Sequence, residues 1–408
     1  MKKILLTATL LLGVNFAHSQ NINDNKINFK YIQLPLIKID DQFTNYQILV
    51  EHDYNQANTD SLALFQARKD LAINDFESKI VLYQSSRDSL DKIYLGKLAT
   101  WEKNVNAGLL KPDGSAIDKP FPPNYPTQPA YPNVEAPHLH TAFTDESVKQ
   151  KIALSGFEDG LGGIQITIKL LPIQNISIVK TKKGTGATTK YLYSARYAMP
   201  VAVKLASPTQ GILLETTLFT SAKTYKMSDQ KSQYDHQIYM LDHKGEFYNN
   251  LELYARNAAL LETNNYLNNR FGYVNKSRAT EIYSVKSFKN YDYTDVTQAY
   301  SLAVQALQVV GADRDRDGAM NQLDGAIDAI KMILEESNFS DKKARINTKV
   351  TAMLYCNLAE LLVWQGEYDK ADATVNIALN SREGKAKRHC KGVTGFYADQ
   401  RKRWNVHY

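Results

Sequence analysis

The chain has 408 residues, of which 43% are hydrophobic and 23% charged, with 49 Lys and Arg against 43 Asp and Glu. This balance is that of a folded chain and excludes a disordered or collagen-like one, and the length predicts two or three domains. Two cysteines, Cys356 and Cys390, are too few for a disulfide framework.

The first segment, MKKILLTATLLLGVNFAHSQ, reads as a secretory signal peptide over residues 1–19: Lys2 and Lys3, an apolar run from Ile4 to Val14, then small residues at Ala17 and Ser19. No Cys follows the run, and no later stretch approaches the 18 apolar residues of a membrane helix. The expected location is therefore the periplasm, the outer surface or the medium of a bacterium, and nucleic acid is not an expected partner.

Residues 20–58 form a β segment, carried by INFKYIQLPLIKI and NYQILVEHDY. Residues 59–107 follow as a long helix or a helical hairpin. Its apolar stripe runs through Leu62, Phe65, Ala72, Phe76, Ile80, Tyr83, Leu90, Tyr94, Leu98, Trp101 and Val105 at steps of three, four and seven. The stripe is expected to cover the domain's own core, with a separate surface as the alternative. Residues 108–140 hold eight of the twelve prolines, between Pro112 and Pro137, and predict an extended connector or surface strap. Residues 141–245 return to short strands with glycine turns, the pattern of a β-sandwich.

From 246 to 383 the pattern is helical. The fold class is thus α+β and multi-domain: a sandwich-like N-terminal half with a long helical insertion, then an all-α domain. The basic, aromatic tail 384–408 completes the chain. Eight Lys or Arg and two acids lie between Arg382 and the end. This tail is a candidate contact for acidic lipid or cell-wall polymer, with a solvated last helix as the alternative. In an oxidising compartment Cys356 and Cys390 could bridge and fasten the tail; otherwise Cys356 is a small apolar residue on a buried helix face.

Between Ala352 and Ser381, the positions Tyr355, Leu358, Ala359, Leu362, Gly366, Tyr368, Ala371, Val375 and Ala378 fall at the spacings of a helix–turn–helix unit with small residues where two helices meet. This segment resembles the tetratricopeptide-repeat family over about one repeat. It departs where Glu383 stands in place of a proline. A degenerate unit over Thr294–Ser337 carries Ala303, Leu323 and Ala326 in packing places. The resemblance implies a stack of helix pairs that binds a protein or peptide, with Tyr355, Asn357 and Glu360 as candidate partner-binding residues, and it implies no catalysis.

The connection inside that degenerate unit is GADRDRDGAMNQLDG. Asp313, Asp315, Asp317, Ala319, Asn321 and Asp324 occupy positions 1, 3, 5, 7, 9 and 12, with Gly318 at 6. The loop resembles an EF-hand or dockerin calcium loop, which implies one structural calcium ion. The competing reading is a helix cap supplied by Asp315 or Asp317. The expected function is a non-enzymatic scaffold or adaptor of the cell envelope, its partner an envelope protein or peptide segment. The alternative is a surface or secreted protein that binds glycan or cell wall through its β-domain.

Overall fold

The computed structural model describes residues 21–186, 189–227, 232–288 and 290–408; the signal segment lies outside them. The protein is mixed α and β, with two hydrophobic cores.

The first core is built on a five-stranded sheet of order β3-β2-β4-β7-β8, with β2 Asn45–His52, β3 Glu158–Asp159, β4 Ile164–Leu170, β7 Val201–Ser207 and β8 Gly211–Leu218. Strict alternation decides its buried face. Ile164, Ile166, Ile168 and Leu170 of β4 and Val201, Val203 and Leu205 of β7 point inward. A second sheet, β5-β6-β9, comprises β5 Gln174–Lys183, β6 Lys190–Ala198 and β9 Lys223–Lys226. The inner residues of both sheets share their core with the long helix α3, Gln233–Phe271, which breaks at His243. Strand β2 runs parallel to β3 and to β4, whereas β4, β7 and β8 pair antiparallel, as do β5, β6 and β9.

A parallel neighbour requires a crossover. Here the crossover from β2 is a long excursion. Helix α1, Tyr54–Asn106, is one continuous helix of 53 residues, about 80 Å long at 1.5 Å per residue. The proline-rich segment then runs back along it, ending at the short helix α2, Asp145–Lys149. Trp101 Nε1 donates to the carbonyl of Ile117 at 2.9 Å, the Tyr125 hydroxyl donates to Asp91, Tyr131 meets Phe76 edge-on at 5.2 Å, and Asn58 pairs with the backbone of His140. From Ile117 to His140 the strap retraces the helix from Trp101 to Asn58, about 65 Å. That is about 2.8 Å per strap residue, close to the 3.1 Å rise of polyproline II. The helical stripe read from the sequence is therefore covered by the strap, not by the domain core. Phe65, Phe76, Tyr83, Tyr94 and Trp101 are half-buried beneath it, while Leu62 and Val105 at the two ends stay exposed.

The second core joins an antiparallel ribbon to five helices. Strand β1, Asn21–Gln33, pairs along its whole length with β10, Val274–Ser287. The helices are α4 Thr294–Val309, α5 Asp317–Leu334, α6 Thr348–Gln365, α7 Tyr368–Asn380 and α8 Gly384–His407. Consecutive helices pack on each other, α8 also packs on α6, and the ribbon lies on α4 and α6. Small residues line the seams: Ala299, Ala303 and Ala306 of α4, Ala319 and Ala326 of α5, Ala359 of α6, and Ala371 and Ala378 of α7 are all buried. The turn between α6 and α7 needs Gly366. Its φ is +88°, and a Cβ there would come within 2.6 Å of the Trp404 ring.

Two expectations are corrected. The region 246–383 is not continuously helical, because β10 interrupts it; and α3 belongs to the sheet core, not to the helical stack. Likewise the segment 20–58 is divided: β1 serves the helical half and β2 the sheet half.

Candidate interaction site

Helix α6 is apolar on every side, which places it inside the stack. Fourteen of its eighteen residues are buried, so its few polar residues must find partners within the fold. Asn357, 1% exposed, accepts from the Tyr283 backbone N–H at 2.9 Å and donates to the Tyr283 carbonyl at 2.8 Å, closing a main-chain-like pair with β10. Glu360 is 0% exposed. Its carboxylate accepts from Arg278 Nε and Nη2, each at 2.7 Å, from Trp364 Nε1 and the Tyr397 hydroxyl at 2.9 Å, and from Thr280 Oγ1 at 3.1 Å. Burial alone raises the Glu360 carboxyl, but the Arg278 guanidinium and these donors outweigh it and hold the group below the usual carboxylate range. The Arg278 guanidinium also stacks 3.7 Å from the Phe396 ring centroid. Asn357 and Glu360 are therefore turned to the chain's own ribbon and are not presented to a partner. Tyr355 is half-buried against the same core.

The acidic loop resolves into separate tasks. Asp313 accepts from the N–H groups of Asp317 at 3.0 Å and Gly318 at 3.2 Å, so the carboxylate that caps α5 is Asp313, neither Asp315 nor Asp317. Asp315 accepts from the Tyr408 hydroxyl, and Asp324, on the third turn of α5, accepts from Gln365. Ala319 is buried and Asn321 lies on the helix surface. Because α5 starts at Asp317, positions 5 to 12 of the loop lie within that helix. Among the described residues, no group of three or more His, Cys, Asp or Glu is gathered so as to hold a metal ion.

The loop also turns one of its cations inward. Arg316 adopts φ +64° and is 2% exposed. Its guanidinium lies between the rings of Trp364 and Trp404, at 4.8 and 4.7 Å, and donates to the carbonyl of Trp364 at 3.1 Å at the C-terminal end of α6.

The basic tail is α8, and much of its charge is spent internally. Arg401 pairs with Asp369 and Asp372, and Lys385 with Asp24. Arg403 is buried and donates to the carbonyls of Leu34 at 2.8 Å and Asn269 at 3.1 Å, tying the two halves together. Cys356 of α6 and Cys390 of α8 are free thiols with sulfurs 3.7 Å apart. The neighbouring Cys390 sulfur, and then burial, push the Cys356 thiol up.

At the root of the arm, the His-Leu-His stretch of the strap meets α3. Glu252, 0% exposed, accepts from the Thr141 N–H at 3.0 Å, with His138 Nε2 at 3.7 Å and His140 Nδ1 at 3.5 Å. Burial raises its carboxyl, but the two neighbouring imidazoles and the Thr141 N–H prevail and lower it to about 2. Arg256 donates to the Thr141 carbonyl at 3.2 Å and stacks on Phe143. This buckle fixes the end of the strap to the sheet core.

What remains open to solvent is elsewhere. The outer face of the five-stranded sheet carries a shallow groove of about 610 Å³, lined by Glu51, Gln165, Lys169, Lys204, Glu215 and Thr217 among others, with no aromatic side chain on which a sugar ring could stack. On α1, Leu64, Leu71, Leu82 and Ile93 lie about 100–120° around the helix from the half-buried stripe. Steps of 7, 11 and 11 residues keep them within about 20° of one line, and all are more than half exposed, Leu71 at 70%. That repeat is legible in the sequence once the stripe beneath the strap is set aside.

Comparison with protein-family models, with curated proteins and with solved structures returns no match for this chain.

Proposed function

We propose that this protein is a non-enzymatic, exported adaptor of the bacterial cell envelope, and that its contact element is the α1–strap arm. The helices from α4 to α8 form the fixed base, a stack of the kind tetratricopeptide repeats build, whose inner surface is filled by the chain's own β1–β10 ribbon. The observation that carries the reading is the exposed line Leu64, Leu71, Leu82 and Ile93 on a helix about 80 Å long. The line spans about 44 Å of that helix, 29 residues at 1.5 Å each, and offers a partner a row of apolar contacts on one face. The signal segment supports export, and no described helix is long and apolar enough to cross a membrane.

The test is affinity capture from envelope extract with the full chain and with Leu64→Ser/Leu71→Ser/Leu82→Ser. The adaptor reading predicts a discrete partner that the variant loses while its far-ultraviolet dichroism stays that of the wild type. Equal capture by both proteins refutes the arm as contact element.

A further inference from the structure

The sheet β5-β6-β9 contains no acidic residue, and none occurs between Asp159 and Glu215 in the chain. The register divides its side chains into two faces. Lys180, Tyr193, Lys223 and Tyr225 turn toward α3: Tyr193 stacks on His236 at 3.6 Å, Tyr225 packs against Phe247, Lys180 donates to Gln233, and Lys223 pairs with Glu262. The opposite face carries Lys183, Lys190, Arg196 and Lys226, all exposed and none with a carboxylate partner among the described residues. Lys183 and Lys190 stand directly opposite each other, as do Arg196 and Ser177, Arg196 and Thr224, and Ser194 and Lys226. Ser177, Thr224 and Ser194 thus flank Arg196 and Lys226.

Like charges directly opposite on an antiparallel pair, about 5 Å apart at Cβ, destabilise a hairpin. Here no counter-charge among the described residues relieves them. These four cations and three hydroxyls on one sheet face, the cations in two pairs about 14–20 Å apart along the strands at about 3.4 Å per residue, match a ligand with repeated anionic groups and hydroxyl neighbours. We propose that this face binds an anionic, hydroxyl-rich polysaccharide bearing sulfate or phosphate groups. A lipid surface is the poorer fit, since stable interfacial binding adds buried apolar side chains to charge. On this face Leu192 and Val179 are half-buried, and no aromatic residue is present. The proposal is independent of the adaptor reading, which concerns the arm, and it moves the anion contact from the tail to the sheet.

Dextran sulfate is the probe, with neutral dextran as its uncharged counterpart, and the full-length mature protein is used throughout. The wild type is expected to bind dextran sulfate and not dextran. Its affinity should fall about 100-fold between 50 and 200 mM salt, taking a log–log slope near −0.7 to −0.9 per phosphate-like contact for four cations. Lys183→Ser/Lys190→Ser/Arg196→Ser/Lys226→Ser should lose at least tenfold in affinity and flatten that slope, while keeping the wild-type melting curve. Lys387→Ser/Arg388→Ser/Lys391→Ser in α8 should bind as the wild type does. No binding by the wild type at 50 mM salt overturns the proposal. So does unchanged binding by the sheet variant, or binding to phosphatidylglycerol vesicles without binding to dextran sulfate.

Discussion

Replacing Glu360 by Ala removes the acceptor of five hydrogen bonds at once and leaves the Arg278 guanidinium buried without a counter-charge. Breaking a buried pair by deleting one partner costs about 3–5 kcal/mol. The orphaned Trp364, Tyr397 and Thr280 donors add to that wherever water cannot reach them, so Glu360→Ala is expected at or above about 4 kcal/mol. Glu360→Leu combined with Arg278→Met should restore most of the loss, because an apolar pair of similar volume leaves no unpaired charge. Urea denaturation followed by tryptophan fluorescence reads this directly: Trp364 and Trp404 both sit in the helical half, and Trp364 touches the network itself. A loss below about 1 kcal/mol for Glu360→Ala, or a double variant no more stable than the single one, refutes the account of α6 as an internal wall and returns Glu360 to the set of available surface residues.

The other expected outcomes concern the buckle, the cap and the thiols. Glu252 titrates near 2 in the folded protein against about 4.3 unfolded; its contribution is present above pH ~4.3 and lost as pH falls through about 2, some 3 kcal/mol in all. Glu252→Gln should therefore flatten the acid limb of the stability curve below pH ~4.3, and an unchanged limb contradicts the buckle. Asp313→Ala should cost about 1 kcal/mol in melting experiments with a chelator present, the value of a lost N-cap; a loss seen only when calcium is added would favour the ion-binding reading instead. Mild oxidation should consume Cys356 and Cys390 without dimerisation and raise stability by about 3–4 kcal/mol, the chain-entropy value for a loop of this size. Thiols that persist under oxidant would show the helices too rigid to close the 3.7 Å gap.

Local periodicity made some of this legible. The helical step of the stripe on α1 marks a helix over nearly its full length, and alternation in β4 and β7 gives their buried faces. The packing alanines and Gly366 mark the α6–α7 turn. What periodicity cannot carry is a partner distant in sequence. Strand β10, VNKSRATEIYSVKS, lies between two helical patterns, and its mate β1 is some 250 residues earlier, so nothing local announces the pairing. The strap has no hydrogen-bonded period of its own, which hid its bed on α1. Asn357 and Glu360 read as polar helix positions, yet the run around them, TAMLYCNLAELLVW, is apolar on all sides. That pattern is itself the signal that a polar residue within it is satisfied from inside. Asp313, Asp315 and Asp317 have the spacing of a calcium loop, and spacing alone does not report where a helix begins.

Site-specific photo-crosslinking in the producing cell tests the adaptor reading most directly. A photoreactive residue at Leu71, on the open line of α1, is predicted to give one discrete protein adduct, and the same residue at Tyr355, against the core of the stack, none. An adduct at Tyr355 with none at Leu71 would contradict the arm as the element that meets a partner.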